Sequence, residues 1–345
     1  MRLHGQHIHG SPFQVPLNMG AIADDYTRRL AAAEAAGNSP DLGGAEGCGG
    51  DFVVVTGASS GFFDRAVNLV GSLHHWAPGT RIIFYDLGLS RVQAEDVRTW
   101  EDVEVRAFPF AMYGQHLHVD ENKTRNGVQG AYSWRAPILI NVTEEHKCML
   151  WLDAGIEVRA PLTTIIGHIA ADGHFFVTNG WPSPNKFTHP GVMTWFGLDE
   201  DTNLFVADPA GGRRNEIEAC GGIQGYRRDG VMREEILTRY YRCLMDADCA
   251  APEGASKMNF RQDQTVLNIA LADYRRGVPL DSPEYFASLP HTARKYWEHP
   301  VPKHEFPVRE DGTFQPCDKG QVEILESQFC SDTVHELVRS SRTCS

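Results

Sequence analysis

The apolar positions of the chain follow two periods. Phe52-Val53-Val54-Val55 is an unbroken, largely β-branched run, the pattern of a strand buried on both faces. It runs into Thr56-Gly57-Ala58-Ser59-Ser60-Gly61, a tight turn. From Asp64, expected as an N-cap, to Trp76 the apolar residues Ala66, Val67, Leu69, Val70, Leu73 and Trp76 recur on one helical face. Pro78-Gly79 stops that helix. Arg81–Asp86 predicts a second buried strand, Ser90–Trp100 a short helix and Val103–Phe110 a third strand. A helix over Ile138–Glu145 leads into a fourth strand, Cys148–Asp153, and His174–Val177 is strand-like. Asp263 and Gln264 open a later helix with Val266, Leu267, Ala270, Leu271 and Tyr274 on its apolar stripe.

This alternation predicts an α/β fold, a mainly parallel sheet flanked by helices and built from right-handed crossovers. Ligands of such sheets bind beyond the carboxyl ends of the strands. That rule places Thr56–Gly61, Asp86 and Asp153 along one edge.

Composition narrows the function. Lys plus Arg total 32 against 45 Asp plus Glu, a net charge of −13, which argues against nucleic acid or an anionic membrane as partner. No apolar run approaches the roughly 20 residues of a membrane span, and the first residues, MRLHGQHIHGSPF, lack the apolar stretch of a signal peptide. Residues 1–50 are expected to form a flexible tail and linker: His4, His7 and His9 lie in a His/Gly stretch, and Ala and Gly dominate 31–50. One domain over 51–290 and a C-terminal extension over 291–345, with a short helix near Asp332–Arg339, complete the partition. None of the eight cysteines forms a CxxC pair. Cys243, Cys249, Cys317, Cys330 and Cys344 are available to pair in an oxidising lumen, and Asn122 and Asn141 begin glycosylation sequons. Asp199-Glu200-Asp201 has the composition of a solvated acidic loop.

The first turn admits two chemistries. Val55–Gly61 resembles the cofactor loop of short-chain dehydrogenases, but Phe63 stands where that loop has its third glycine. None of the seven lysines has a tyrosine four residues before it, so the catalytic Tyr-x-x-x-Lys pair is missing. An NAD(P)-dependent oxidoreductase is therefore a remote alternative. The other chemistry starts at Leu150-Trp151-Leu152-Asp153, where a carboxylate ends an apolar strand. Such carboxylates commonly hold a divalent cation that neutralises nucleotide phosphates.

Four ordered blocks carry a family resemblance: Val53–Ser60, Tyr132-Ser133-Trp134-Arg135, Leu152-Asp153-Ala154-Gly155, and the pair Cys220–Gly225 and Arg261–Asn268. Over about residues 51–275 the sequence resembles GT-A-fold (Rossmann-like) glycosyltransferases, the nucleotide-diphospho-sugar transferases, and looks most like family 8 and related uncharacterised eukaryotic proteins. The resemblance implies a single domain that transfers a hexose or pentose from a nucleotide-diphosphate donor, UDP-sugar foremost, to a hydroxyl of a glycan or protein acceptor. It implies donor contacts from Thr56, Gly57, Ala58, Asp86, Asp153, Gly221 and Gly222. Arg135 would face the developing charge of the leaving group, Asp263 would orient a sugar hydroxyl, and Gln264 would lie near the anomeric carbon. Asp153 would hold Mn²⁺ or Mg²⁺, and the location would be the secretory lumen, Golgi-type, with the cytoplasm left open. A non-catalytic nucleotide- or glycan-binding protein is the rival reading.

One departure bears on the cation. The second aspartate of the family's Asp-x-Asp is Gly155 here. Glu157 has the same strand parity, but four residues of strand span roughly 13 Å, so only a sharp bend at Gly155 would bring it to Asp153. The family's late His-Phe-x-Gly motif is absent, leaving His291, His299 and His304 as stand-ins. Trp181 and Trp195, amid Pro, Gly and polar residues, suit an acceptor-stacking surface or a core cover.

Overall fold

The computed structural model describes residues 47–48, 50–119, 132–159, 161–178, 187–198, 218–256, 258–278, 288 and 290–291. In chain order they form β1 (Phe52–Ala58), α1 (Phe63–Trp76), β2 (Ile82–Asp86), α2 (Arg91–Val97), β3 (Val103–Ala107), α3 (Arg135–Glu145), β4 (Cys148–Leu152), α4 (Thr163–Asp172), β5 (His174–Thr178), α5 (Pro190–Trp195), β6 (Ala219–Arg227), α6 (Thr238–Met245), α7 (Ala247–Ala250) and α8 (Gln262–Arg276). The strands make one six-stranded sheet in the order β3-β2-β1-β4-β6-β5. β1 to β4 run parallel, whereas β6 is antiparallel to both its neighbours.

The expected α/β architecture is therefore present, with one insertion that the apolar pattern did not announce. Cys220–Gly225, which suits a turn by composition, lies inside the nine-residue β6. Its glycines are packing devices. A Cβ on Gly225 would lie 2.6 Å from Ile169 Cδ1 of α4, so the strand carries no side-chain signal where it is most tightly packed.

Strand alternation sorts the core into two layers. Val53, Val55, Met149 and Trp151 pack with Ala136 and Leu139 of α3, Tyr240 of α6 and Val266 and Leu267 of α8. Val54, Leu150, Leu152 and Ile223 face the other way, against Leu69 and Leu73 of α1 and Ile165 and Ile169 of α4. Boundaries differ locally from the sequence reading. Phe62, not Asp64, occupies the N-cap of α1 without a side-chain bond, and Asp64 sits in the first turn, where a carboxylate still favours the helix dipole. α3 starts at Arg135, three residues before the expected start, and β3 ends at Ala107.

Two disulfides are described. Cys243–Cys249 forms as the spacing allowed, and Cys48–Cys148 ties the lead-in of β1 to β4. Cys220 is disulfide-bonded as well. Among the described residues no helix is long and apolar enough to cross a membrane. His4, His7, His9, Asn122, Trp181, Asp199–Asp201, His299, His304, Cys317, Cys330, Cys344, the helix expected over Asp332–Arg339 and nearly all of both terminal segments lie outside the described residues.

Candidate functional site

The carboxyl edge of the sheet assembles as the strand rule requires. Val55 pairs with Trp151 and Ala58 with Asp86, so Gly57 falls level with Asp153. Asp153 N–H donates to Gly222 O at 2.9 Å, which carries the β4–β6 pairing one step further. Edge and face are separate matters, however. Alternation puts Asp153 on the side of Trp151, towards α3, α6 and α8, and puts Asp86 on the opposite side. Asp86 Oδ1 there accepts Gly88 N–H at 2.9 Å and Leu89 N–H at 2.8 Å, closing the turn after β2. Thr56 also points to that side, fully buried, with its hydroxyl unpartnered. Gly57 packs directly on β2: a Cβ there would lie 3.0 Å from Tyr85 O. Ala58 is likewise buried on the α1 side.

On the other side one guanidinium gathers the residues of three blocks. Arg135, the first residue of α3, has a side chain only 3% exposed. Its Nη2 donates to Asp153 Oδ1 at 2.6 Å, and its Nη1 donates to Asp263 Oδ2 and to Gly221 O, the latter at 2.9 Å. The Trp151 ring lies beneath it, 5.2 Å from the guanidinium carbon, and the indole N–H donates to the same Asp153 Oδ1 at 2.6 Å. Tyr240 of α6 donates its hydroxyl to Asp263 Oδ2 at 2.9 Å. A π-helical turn, Arg233–Leu237, runs straight into α6, and such turns often mark functional sites.

α8 is stitched to β6 around this centre. Gln264 Oε1 accepts Gly221 N–H at 3.2 Å, and its Nε2 donates to the buried Glu218 at 2.8 Å. Asn268 accepts Ala219 N–H and donates to Ala219 O. The backbone is strained where α3 and α8 lead into the centre. Tyr132 and Gln262 are two of the three non-glycine residues with left-handed backbone among those described, at φ 55° and 51°. Strain of this kind is held where surrounding contacts over-determine the geometry.

Charge follows from the geometry. Burial works against the Arg135 cation, and Asp153 and Asp263 outweigh it, so its proton is held more tightly than usual. Burial pushes Asp263 up to about 6, Arg135 opposing and Asp153 adding to the rise. One guanidinium between two carboxylates leaves one net negative charge when both are ionised. The Arg135 guanidinium is thus engaged by carboxylates on two sides, where the sequence reading has it face a leaving pyrophosphate. The solvent-facing member is Asp153, 40% exposed, against 5% for Asp263.

The cation expected on Asp153 does not fit these residues. Asp153 Oδ1 already takes two donors, which leaves Oδ2, lying against Gly222 where the missing Cβ gives it room, as the single uncommitted oxygen of that carboxylate. The chain does bend after Asp153, Ile156 N–H donating to Asp153 O at 2.9 Å. That bend sends Glu157 to Arg159 and to Asn68 of α1 instead, at 3.3 and 3.5 Å. His291 is no stand-in either. Its Nδ1 accepts Phe176 N–H at 3.2 Å on β5, the outermost strand, and its Nε2 lies 2.8 Å from Asp172 Oδ2. With His168 these two form the His/Asp group close enough to hold an ion among the described residues, two strands away from β4. An amide proton aimed at Nδ1 puts the ring's own proton on Nε2, facing Asp172 rather than a metal.

Sequence reasoning missed Trp151, Tyr240 and Glu218. Trp151 was findable, since it lies two residues before Asp153 and shares its face. Tyr240 and Glu218 carry no local signal. Trp195 donates its indole N–H to Asp246 Oδ2 at 3.0 Å and packs on the core, which is the covering role.

Residues 25–124 match a family model described as a protein of unknown function, DUF1647. No curated protein matches the chain. Solved structures with a similar chain course include the WbbM bifunctional glycosyltransferase, at 13% identity and TM-score 0.42 over 64% of this chain and 37% of that one. Core-mannan synthase A from Aspergillus fumigatus, in a Mn/GDP form, gives 10% and 0.42 over 64% of this chain and 69% of that one. Mouse xyloside xylosyltransferase 1 gives 12% and 0.41 over 65% and 82%. The chain thus spans little more than a third of WbbM.

Proposed function

We propose that this protein is a glycosyltransferase that takes a sugar from a nucleotide-diphosphate donor, UDP-sugar foremost, to an acceptor hydroxyl on a glycan or protein in the secretory lumen. The observation that supports the reading is the junction at Arg135. Residues singled out from separate sequence blocks, Asp153, Gly221, Asp263 and Gln264, meet around its guanidinium or one bond away. The disulfides support the lumen.

In this reading the carboxylates serve the sugar. A carboxylate accepts hydroxyl hydrogen bonds at both oxygens, and Arg135 fixes two of them at one separation. Asp153 meets the sugar from the solvent side, and Asp263 orients it from beneath. The Gln264 amide, held by Gly221 and Glu218, presents a fixed dipole beside them. Negative charge developing on the departing diphosphate needs donors supplied elsewhere. The Ser59–Phe62 segment, which leads from β1 into α1 on the same edge, is the segment proposed for that role.

Two expected results follow. Gly222→Ala places a methyl against Asp153 Oδ2, turning the carboxylate away from Arg135. Nucleotide-sugar affinity falls at least tenfold, with a stability loss of about 1–3 kcal/mol, read by calorimetric titration and urea unfolding. Affinity also weakens as pH falls through about 6, because Asp263 gains a proton there and loses acceptor capacity. Asp263→Asn binds weakly and flattens that profile between pH 5 and 7.5.

A second reading, glycan binding without turnover, is favoured by the net negative charge of the centre and by Gly155. Saturation-transfer NMR with UDP-glucose, UDP-galactose, UDP-xylose, GDP-mannose and the matching free sugars separates the two. Saturated sugar and base protons in one nucleotide sugar, lost in Asp153→Asn, support the transferase. Binding of free sugars alone supports the second reading.

A further inference from the structure

The disagreement between the expected cation and the residues present has a functional meaning. We infer that the site binds its nucleotide-sugar donor without a resident divalent cation, the Arg135 guanidinium occupying the place of an ion on Asp153. The inference rests on the nucleotide-sugar reading above.

Three observations carry it. A hard divalent cation held by a protein needs several oxygens free to face it, and Asp153 offers one, Oδ2, since Oδ1 is committed to Arg135 and Trp151. The position two residues on, where a second carboxylate would share the ion, is Gly155, and Glu157 is drawn off to Arg159 and Asn68. The guanidinium is fully buried between Asp153 and Asp263. Guanidinium is never deprotonated in proteins, so an ion on Asp153 Oδ1 would have to displace a permanent cation already bonded there. That carboxylate is therefore partly compensated from within the fold, and its Oδ2 is available to sugar hydroxyls.

Gly155 also offers a way to reverse the arrangement. A Cβ built there meets nothing within 4 Å, so the position has room for a side chain, and Gly155→Asp returns an aspartate to the position two residues after Asp153. Nucleotide and nucleotide-sugar binding to the full chain is titrated calorimetrically in EDTA, in Mg²⁺ and in Mn²⁺, with UDP, GDP and the four nucleotide sugars named above. Mn²⁺ itself is followed by its electron paramagnetic resonance signal. The expected result is equal affinity, within twofold, in all three conditions for the wild type. Asp153→Asn should lose the same factor in EDTA as in Mn²⁺, because the lost contact is to the sugar and not to an ion. Gly155→Asp should bind Mn²⁺ in the presence of nucleotide at least tenfold more tightly than the wild type. Wild-type affinity that falls tenfold or more in EDTA overturns the inference and leaves the nucleotide-sugar reading standing. Mn²⁺ bound equally by wild type and Gly155→Asp overturns it too. Failure of every nucleotide and nucleotide sugar to bind in any condition overturns the inference together with that reading.

Discussion

Arg135→Met lowers the free energy of unfolding by about 3–5 kcal/mol, the cost of removing one partner from a buried charge cluster. The side chain removed is 3% exposed and bonds Asp153, Asp263 and Gly221 O. Asp263, 5% exposed, keeps only the Tyr240 hydroxyl as a side-chain donor among the described residues. Its carboxyl, already pushed up to about 6 with Arg135 in place, then stays protonated at neutral pH. The destabilisation is correspondingly smaller at pH 5 than at pH 7.5, since a protonated Asp263 needs no counter-charge. Pairing the change with Asp263→Asn returns part of the loss, and a double-mutant cycle gives coupling of about 1–3 kcal/mol, as expected of groups in direct contact. Urea unfolding at the two pH values is the measurement. A loss below about 1 kcal/mol with no coupling contradicts a charge cluster at the centre of this fold.

Removing the Cys48–Cys148 bridge costs nearly as much. Its sequence separation is 100, and the chain-entropy model assigns about 4–5 kcal/mol to a loop of that length. Both sulfurs are buried, so Cys48→Ala with Cys148→Ala adds a small cavity without stranding a polar group. The Cys243–Cys249 bridge, separation 6, constrains far less and its removal costs less. Thermal unfolding of the double variants, each with and without dithiothreitol, separates the contributions. A Cys48/Cys148 variant as stable as the oxidised wild type contradicts the assignment. The consequence reaches the site, because Cys148 opens β4 and Asp153 follows its far end.

The parts of this architecture that the sequence discloses are those where one physical cause dominates. β1, β2 and β4 are buried on both faces, so their apolar runs are continuous. α1 and α8 bury one stripe each, and the period shows. The edge that gathers Gly57, Asp86 and Asp153 follows from strand direction alone. β6 is hidden because Gly221, Gly222 and Gly225 are there to let Gln264, Asp153 and Ile169 approach, and close approach leaves no apolar signature. The face of Asp86 is a matter of parity relative to Asp153, which edge arguments ignore. Arg135 is the instructive case. Its presence at the site follows from its block, but its role depends on which carboxylates it meets. Those lie 18 and 128 residues away in sequence, a separation that local pattern does not span. Glu157 and His291 fail as ion ligands for the same reason, each being engaged by a partner from another element.

The central claim is that the Arg135–Asp153–Asp263 cluster handles the sugar of a nucleotide donor that the protein consumes. Release of nucleoside diphosphate from UDP-glucose, UDP-galactose, UDP-xylose and GDP-mannose, with and without added glycan acceptors, tests it most directly. The account predicts release from one of these donors by the wild type, and at least a hundredfold less from Asp153→Asn and Asp263→Asn at comparable folded stability. Wild-type release that persists undiminished in both variants, or no release from any donor that binds, contradicts it.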